Sequence, residues 1–204
     1  MTHSTALCEK RRSQILEAAL AVFTRTGMGH ARMEDIALEA ALSKGTLYLY
    51  FESKDALIVQ LVEQIFNDYM QAIEQITAGD GPVAARLCTL ADALLAHAAT
   101  FTESYPVMYE IFAWALREPT VHSIVEGYYQ TSREILTSLI HEGIRCGEFR
   151  PVDPEEIVLQ ILALHEGVLQ LQAFFGETTD WRALMLHAVK FILEALKPLP
   201  QTKE

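Results

Sequence analysis

The chain has 204 residues, half of them apolar and 21% charged, with a formal net charge of −11. That composition excludes a disordered or low-complexity polymer, and the length suffices to bury a core. Its wholly apolar runs, such as 161–164, fall far short of the roughly 20 residues of a membrane span. Cys8, Cys88 and Cys146 are odd in number and widely spaced, so they write neither a disulfide framework nor a zinc ribbon. Residues 2–6 are polar and 9–12 charged, unlike a signal peptide. The expectation is a cytoplasmic chain of a reducing compartment, without membrane contact.

In chain order the pattern is helical throughout. From 12 to 26, Ile15, Leu16, Ala19, Leu20, Val22 and Phe23 form one stripe that Gly27 and Gly29 stop. A short helix is expected at 34–40, a three-residue break at 41–43, and another short helix at 44–50. Ser43 is placed to cap the third helix, and Ser53 the fourth, with Asp55 in its first turn. The fourth helix, 54–78, keeps Leu57, Leu61, Ile65, Tyr69 and Ile73 on an i+4 beat until Gly79. Pro82, Pro106, Pro119 and Pro154 each sit where a helix-opening proline belongs. Asp153, Pro154 and the carboxylates of Glu155 and Glu156 make the strongest start signal in the chain. The helix at 157–175 is apolar on almost every side. The last one, about 180–196, carries Leu184, Ala188, Phe191 and Ala195 on one face. The expected class is all-α with about nine helices.

The charge is unevenly divided. Residues 1–54 hold seven Lys/Arg and six Asp/Glu, whereas the remaining 150 hold nine and 21. A near-neutral head on an acidic body suggests two tasks, although an acidic body also serves solubility. Within the head, a helix, a three-residue turn and a second short helix have the layout of a helix-turn-helix, whose second helix enters the major groove. Leu47 points inward there, while Lys44, Thr46 and Tyr48 project. Gly45 permits close backbone approach, Lys54 offers a charge beside a helix start, and Arg32 with 10–12 extends the phosphate contacts.

Ile36-Ala37, Ala40, Ser43-Lys44-Gly45-Thr46-Leu47-Tyr48, Tyr50-Phe51, Lys54 and Leu57 resemble the DNA-binding domain of the tetracycline-repressor (TetR) family over about residues 10–57. The resemblance implies an N-terminal three-helix DNA-binding domain at 1–54 and a C-terminal helical ligand-binding and dimerisation domain at 55–204. It also implies that Lys44, Gly45, Thr46, Tyr48, Tyr50 and Lys54 touch DNA. Three departures stand out: Ala31-Arg32 replaces a hydroxyl helix cap, Ala41 a turn glycine, and Leu49 a position often polar or aromatic. If Ala41 has positive φ, it costs on the order of 1 kcal/mol.

In the body, the resemblance implies a small-molecule pocket and pairing of the last two helices across a dimer. The all-round apolar character of 157–175, with Ala163 and Gly167 four apart, supports the pairing independently through a four-helix bundle. Candidates for the pocket are Phe66, Tyr69, His97, Phe101, Tyr105, Tyr109, Glu110, Phe112, Tyr128 and His165, an aromatic set with few polar groups. Glu110 and the acidic body point toward a cationic, aromatic-friendly effector alongside a simply apolar one. His141-Glu142 and His165-Glu166 make no HExxH pattern, and no phosphate loop or nucleophile elbow is present, so neither an enzyme, a metal site nor a cofactor is expected. The reading is a homodimeric, ligand-responsive repressor of a palindromic operator, and its alternative a thiol-redox-responsive DNA-binding regulator.

Overall fold

The computed structural model describes residues 3–100 and 105–198. Among them are nine α-helices and no strand: α1 His3–Thr26, α2 Met33–Glu39, α3 Lys44–Tyr50, α4 Lys54–Thr77, α5 Val83–Thr100, α6 Tyr105–Ala115, α7 Pro119–Arg145, α8 Pro154–Phe175 and α9 Trp181–Leu196. The all-α class is what the 3.6-residue periodicity dictates. Two compact units result, one of residues 1–67 with 103–126, the other of 68–102 with 127–204.

In the first unit α1 packs against α2 and α6, and α2 against α3. The stripe read from the sequence is the buried one: Ile15, Ala19, Val22 and Phe23 are at most 1% exposed, and Leu47 and Leu57 are fully buried. Each large side chain so buried contributes about 1.5–3 kcal/mol. Helix α1 starts nearer the N-terminus than its apolar stripe, at His3.

Local chemistry sets the helix ends. Ser43 accepts a hydrogen bond from the Thr46 amide at 3.0 Å, and Ser53 from that of Ala56 at 3.1 Å. Between α2 and α3 the chain turns through a Schellman motif. The Leu42 amide donates to Ala37 O, the Ala41 amide donates to Leu38 O, and Ala41 sits at φ +52°. Ala41 is the only non-glycine with positive φ among the described residues. Ala41→Gly is therefore expected to stabilise the protein by about 1 kcal/mol, raising Tm by about 2–4 °C in a thermal melt.

In the second unit α5 and α8 pack against α9. Asp153 caps α8, accepting from the Glu155 and Glu156 amides at 3.0 and 3.5 Å, and Asp180 caps α9. Pro82 precedes α5 and has no side-chain oxygen to cap it. The Glu148 carboxylate takes that place, accepting from Val83 N at 2.7 Å and Ala84 N at 2.8 Å. Beside it the 8%-exposed Arg86 donates to Thr77 O at 2.7 Å and pairs with Glu142. The Phe149 ring lies close against Gly143, so that a Cβ there would fall inside the van der Waals radii of the ring. Gly143→Ala is expected to lower stability by about 1–3 kcal/mol, read as an earlier denaturant midpoint at unchanged m-value.

The faces of α8 and α9 differ from a simple core. Val158, Ile161, His165, Val168 and Leu169 are the buried stripe of α8. On its other side Leu159, Leu171, Phe174 and Phe175 are 45–75% exposed. In α9 the buried stripe is Trp181, Met185, Val189, Leu193 and Leu196. The stripe singled out in the sequence faces outward instead, with Leu184 43% and Phe191 80% exposed.

Candidate nucleic-acid interface and effector cavity

Helix α3 presents a row of side chains on a rigid base. Leu47 anchors it, fully buried, and Ser43 fixes its first turn through the Thr46 amide. The Thr46 hydroxyl is itself within 2.8 Å of Ser43 Oγ, which holds that half-buried side chain in one orientation. Lys44 and Tyr48 are exposed and Tyr50 half-buried, while Leu49, where the family pattern is departed from, is 84% exposed. At Gly45 a Cβ would meet only Ser43 Oγ, at 3.9 Å, so nothing inside the chain demands glycine there. A bare backbone at the exposed start of a helix admits a partner from outside.

The cations of this unit are not all free. Lys44 Nζ pairs with Glu34 and lies 6.0 Å from the centre of the Tyr48 ring. The hydrogen bond to Lys44 holds Glu34 below the usual carboxylate range and raises Lys44 in return. Both side chains are more than half exposed, so a phosphate or a base edge competes readily for the ammonium. Arg12 stacks over Phe51 at 5.4 Å and donates to Gln60 at 2.8 Å, and Arg11 donates to Gln14 at 2.7 Å. Of the run at 10–12 this leaves Lys10 with its side chain to solvent.

Arg32 occupies the N-cap position of α2 with extended backbone, and a guanidinium has no oxygen to offer the first amides. The reciprocal half of a capping box is made: Asp35 accepts from the Arg32 amide at 3.2 Å. The missing hydroxyl is thus partly compensated, and the Arg32 side chain stays exposed.

Lys54 departs from what its position suggested. Its ammonium donates to three carbonyls of the α1–α2 loop: Met28 at 2.8 Å, Ala31 at 3.1 Å and Gly29 at 3.3 Å. All three N–H donors have partners, so Lys54 holds the loop where a phosphate contact was expected. Glu110 grips the same loop from α6. Its Oε2 accepts from the Met28 amide at 2.8 Å, beside Gly27 at φ +76°. A carboxylate on the amide side and an ammonium on the carbonyl side fix the loop from two helices distant in sequence. Glu110, taken from the sequence as a candidate effector contact, holds this loop through its carboxylate.

The other pocket candidates divide between the two units. In the first, Phe66 and Phe112 approach at 6.5 Å between ring centres, and Tyr105 and Tyr109 at 5.9 Å. In the second, Tyr69 and Tyr128 meet edge-on at 6.2 Å. Burial and the charge of Glu166 push the Tyr69 hydroxyl up to about 12 and move Tyr128 the same way. Tyr128 and His165 both border a cavity of about 30 Å³ enclosed by α4, α5, α7, α8 and α9. The side chains of His97 and Phe101 lie outside the described residues. Sequence reasoning named Tyr128 and His165 but missed the aliphatic wall, because Leu90, Leu136 and Ile161 look like any core residues until three helices converge.

Cys8 and Cys146 are exposed and Cys88 half-buried. Burial pushes the Cys88 thiol up, away from the thiolate that redox sensing uses.

Comparison with known proteins agrees with this geometry. Residues 15–61 match the model of the bacterial regulatory proteins of the TetR family, and residues 83–197 that of the BetI-type transcriptional repressor C-terminal domain. The HTH-type transcriptional regulator YfiR of Bacillus subtilis is 29% identical over 171 residues, covering 83% of each chain. A TetR regulator from Haloarcula marismortui superposes with a TM-score of 0.81 at 19% identity, over 92% of this chain and 98% of that one. A transcriptional regulator from Saccharomonospora viridis, solved in complex with choline, superposes at 0.79 with 20% identity, over 91% and 96%. With a helix-turn-helix match at its head and a second family match over more than half its length, this chain belongs to the TetR family of transcriptional regulators.

Proposed function

We propose that the protein is a cytoplasmic, homodimeric repressor that reads a palindromic operator with α3 of each copy and releases it when a small molecule enters the second unit. The observation that carries the DNA reading is Gly45, bare and open to the outside between exposed Lys44 and anchored Thr46. In this reading Arg32, Lys44, Gly45, Thr46, Tyr48 and Tyr50 face DNA, and Lys54 positions the loop beside them. Residues 1–54 do the reading, while 55–204 bind effector and dimerise. No catalytic role is assigned to any residue.

The dimer reading rests on the outward apolar face of α8 and α9. By length and composition α8 also suffices to cross a membrane. Glu155, Glu156, Gln160, Glu166 and Gln170 punctuate it, and a second copy covers such a surface better than lipid. Exposed Ala163, with open space beside Gly167, lets a facing helix approach closely. A twofold dimer then presents two α3 helices to half-sites about 34–36 Å apart, or a multiple of that. The matched C-terminal family is one of repressors, which supports the sign of regulation. The apolar cavity wall supports an apolar effector.

Selection of sites from random duplex DNA at about 0.15 M salt tests the proposal. A palindrome recovered about a thousandfold above bulk sequence supports it. No enrichment from protein refolded without ligand overturns it.

A further inference from the structure

The cavity of the second unit is a largely hydrocarbon slot with a histidine and a tyrosine, His165 and Tyr128, in its wall. Ile73 of α4, Leu90 and Leu94 of α5, Leu136 of α7, Ile161 of α8 and Met185 of α9 all line it. No Lys, Arg, Asp or Glu is among the lining residues. A charged group entering the slot would lose its water without gaining a counter-ion, which is strongly unfavourable.

His165 is 4% exposed, and its Nε2 is buried without a hydrogen-bond partner among the described residues. Buried polar atoms are paired in the great majority of cases, so an unpaired one lining a cavity marks a place for a missing partner. The opposite nitrogen bears on the kind of partner. Nδ1 lies 3.6 Å from Glu166 Oε1, beyond hydrogen-bond reach, but the carboxylate charge on that side favours the tautomer with the ring proton on Nδ1. Nε2 then carries a lone pair and accepts.

We infer that Nε2 of His165 accepts a hydrogen bond from an uncharged donor, a hydroxyl or N–H, on an otherwise apolar effector whose chain inserts into this slot. The inference rests on the second unit being the effector-binding part. At about 30 Å³ the slot holds one or two water molecules as it stands. A longer ligand enters by displacing Met185, whose three rotatable bonds make it the most adaptable wall residue. Because Ile73 belongs to the helix that begins at Lys54, widening the slot acts directly on α4.

Calorimetric titration of the full chain with 1-octanol, octyl methyl ether, octanoate and octyltrimethylammonium tests this. Octanol can donate and the ether cannot, so octanol is expected to bind about tenfold more tightly, with both ions weaker than either. In His165→Phe the two neutral compounds are expected to bind within about twofold of each other. In parallel, ¹⁵N resonances of labelled histidine in the unsubstituted protein report a bare Nε2 that shifts when octanol is added. That readout stands even where the variant fails to fold. Equal binding of octanol and ether, preference for either ion, an unshifted Nε2, or no binding of any probe overturns the inference, the last leaving water as the occupant. Specific DNA binding without octanol preference sinks this inference alone. Octanol preference without specific DNA binding sinks the regulator reading and leaves the His165 site in place.

Discussion

Gly45→Leu is expected to leave the protein folded, and if anything slightly more stable, while reducing operator affinity about a hundredfold. The two effects separate because a side chain at Gly45 meets nothing inside the chain except Ser43 Oγ at 3.9 Å. Replacing an exposed helical glycine by leucine favours the helix by up to about 1 kcal/mol. The cost falls on the complex. Four extra carbons at the start of α3 hold the helix off the groove floor and withdraw Lys44 and Thr46 from their targets. Losing one or two base-edge contacts corresponds to about 2–3 kcal/mol, or 30- to 150-fold. Fluorescence anisotropy on the selected operator, with a thermal melt of the same sample, reads both. Unchanged affinity would place the DNA-facing surface elsewhere.

Lys54→Met is expected to lower stability by about 2–3 kcal/mol and Tm by about 5–10 °C. Three carbonyls of the 28–31 loop converge on this ammonium, and methionine fills the space without donating. Arginine should not rescue the loss, since its planar fork does not match three converging acceptors. The DNA consequence is distinctive. A lysine that bound phosphate would, when removed from both copies of the dimer, flatten the slope of log affinity against log salt by about two. With the charge committed to the loop, affinity should fall for all sequences alike and the slope should persist. A slope reduced by about two would show that Lys54 leaves the loop for the phosphate backbone in the complex.

These two residues mark what the sequence makes legible. The caps at Ser43, Ser53 and Asp153 are local: acceptor and amide lie two or three residues apart, and the pattern names both. Ala41 is local too: the resemblance marks it as a turn-glycine position, and its φ is +52°. Lys54 and Glu110 are the opposite case. Their partners lie 23–26 and 82 residues away, and no periodicity connects them. Both read as surface charges available to a ligand, and both hold the same loop. The aromatic residues of the body illustrate a third limit. Composition identified a set rich enough to line a pocket, but helix position assigns Phe66 and Phe112 to one unit and Tyr128 and His165 to the other. The apolar stripes of α8 and α9 are legible as helices, whereas which stripe faces inward depends on tertiary packing.

If the outward side chains of Phe174, Phe175, Leu184 and Phe191 pair two copies as proposed, the melting temperature becomes a property of the solution as well as of the chain. When a second copy covers these side chains, folding and association become one reaction, and mass action enters the stability. Each tenfold dilution then removes about 1.4 kcal/mol per mole of dimer. The few copies of a regulator in a small cell would stand much closer to unfolding than the same protein in a calorimeter. Its operator and effector, by binding only the assembled form, would restore part of that margin.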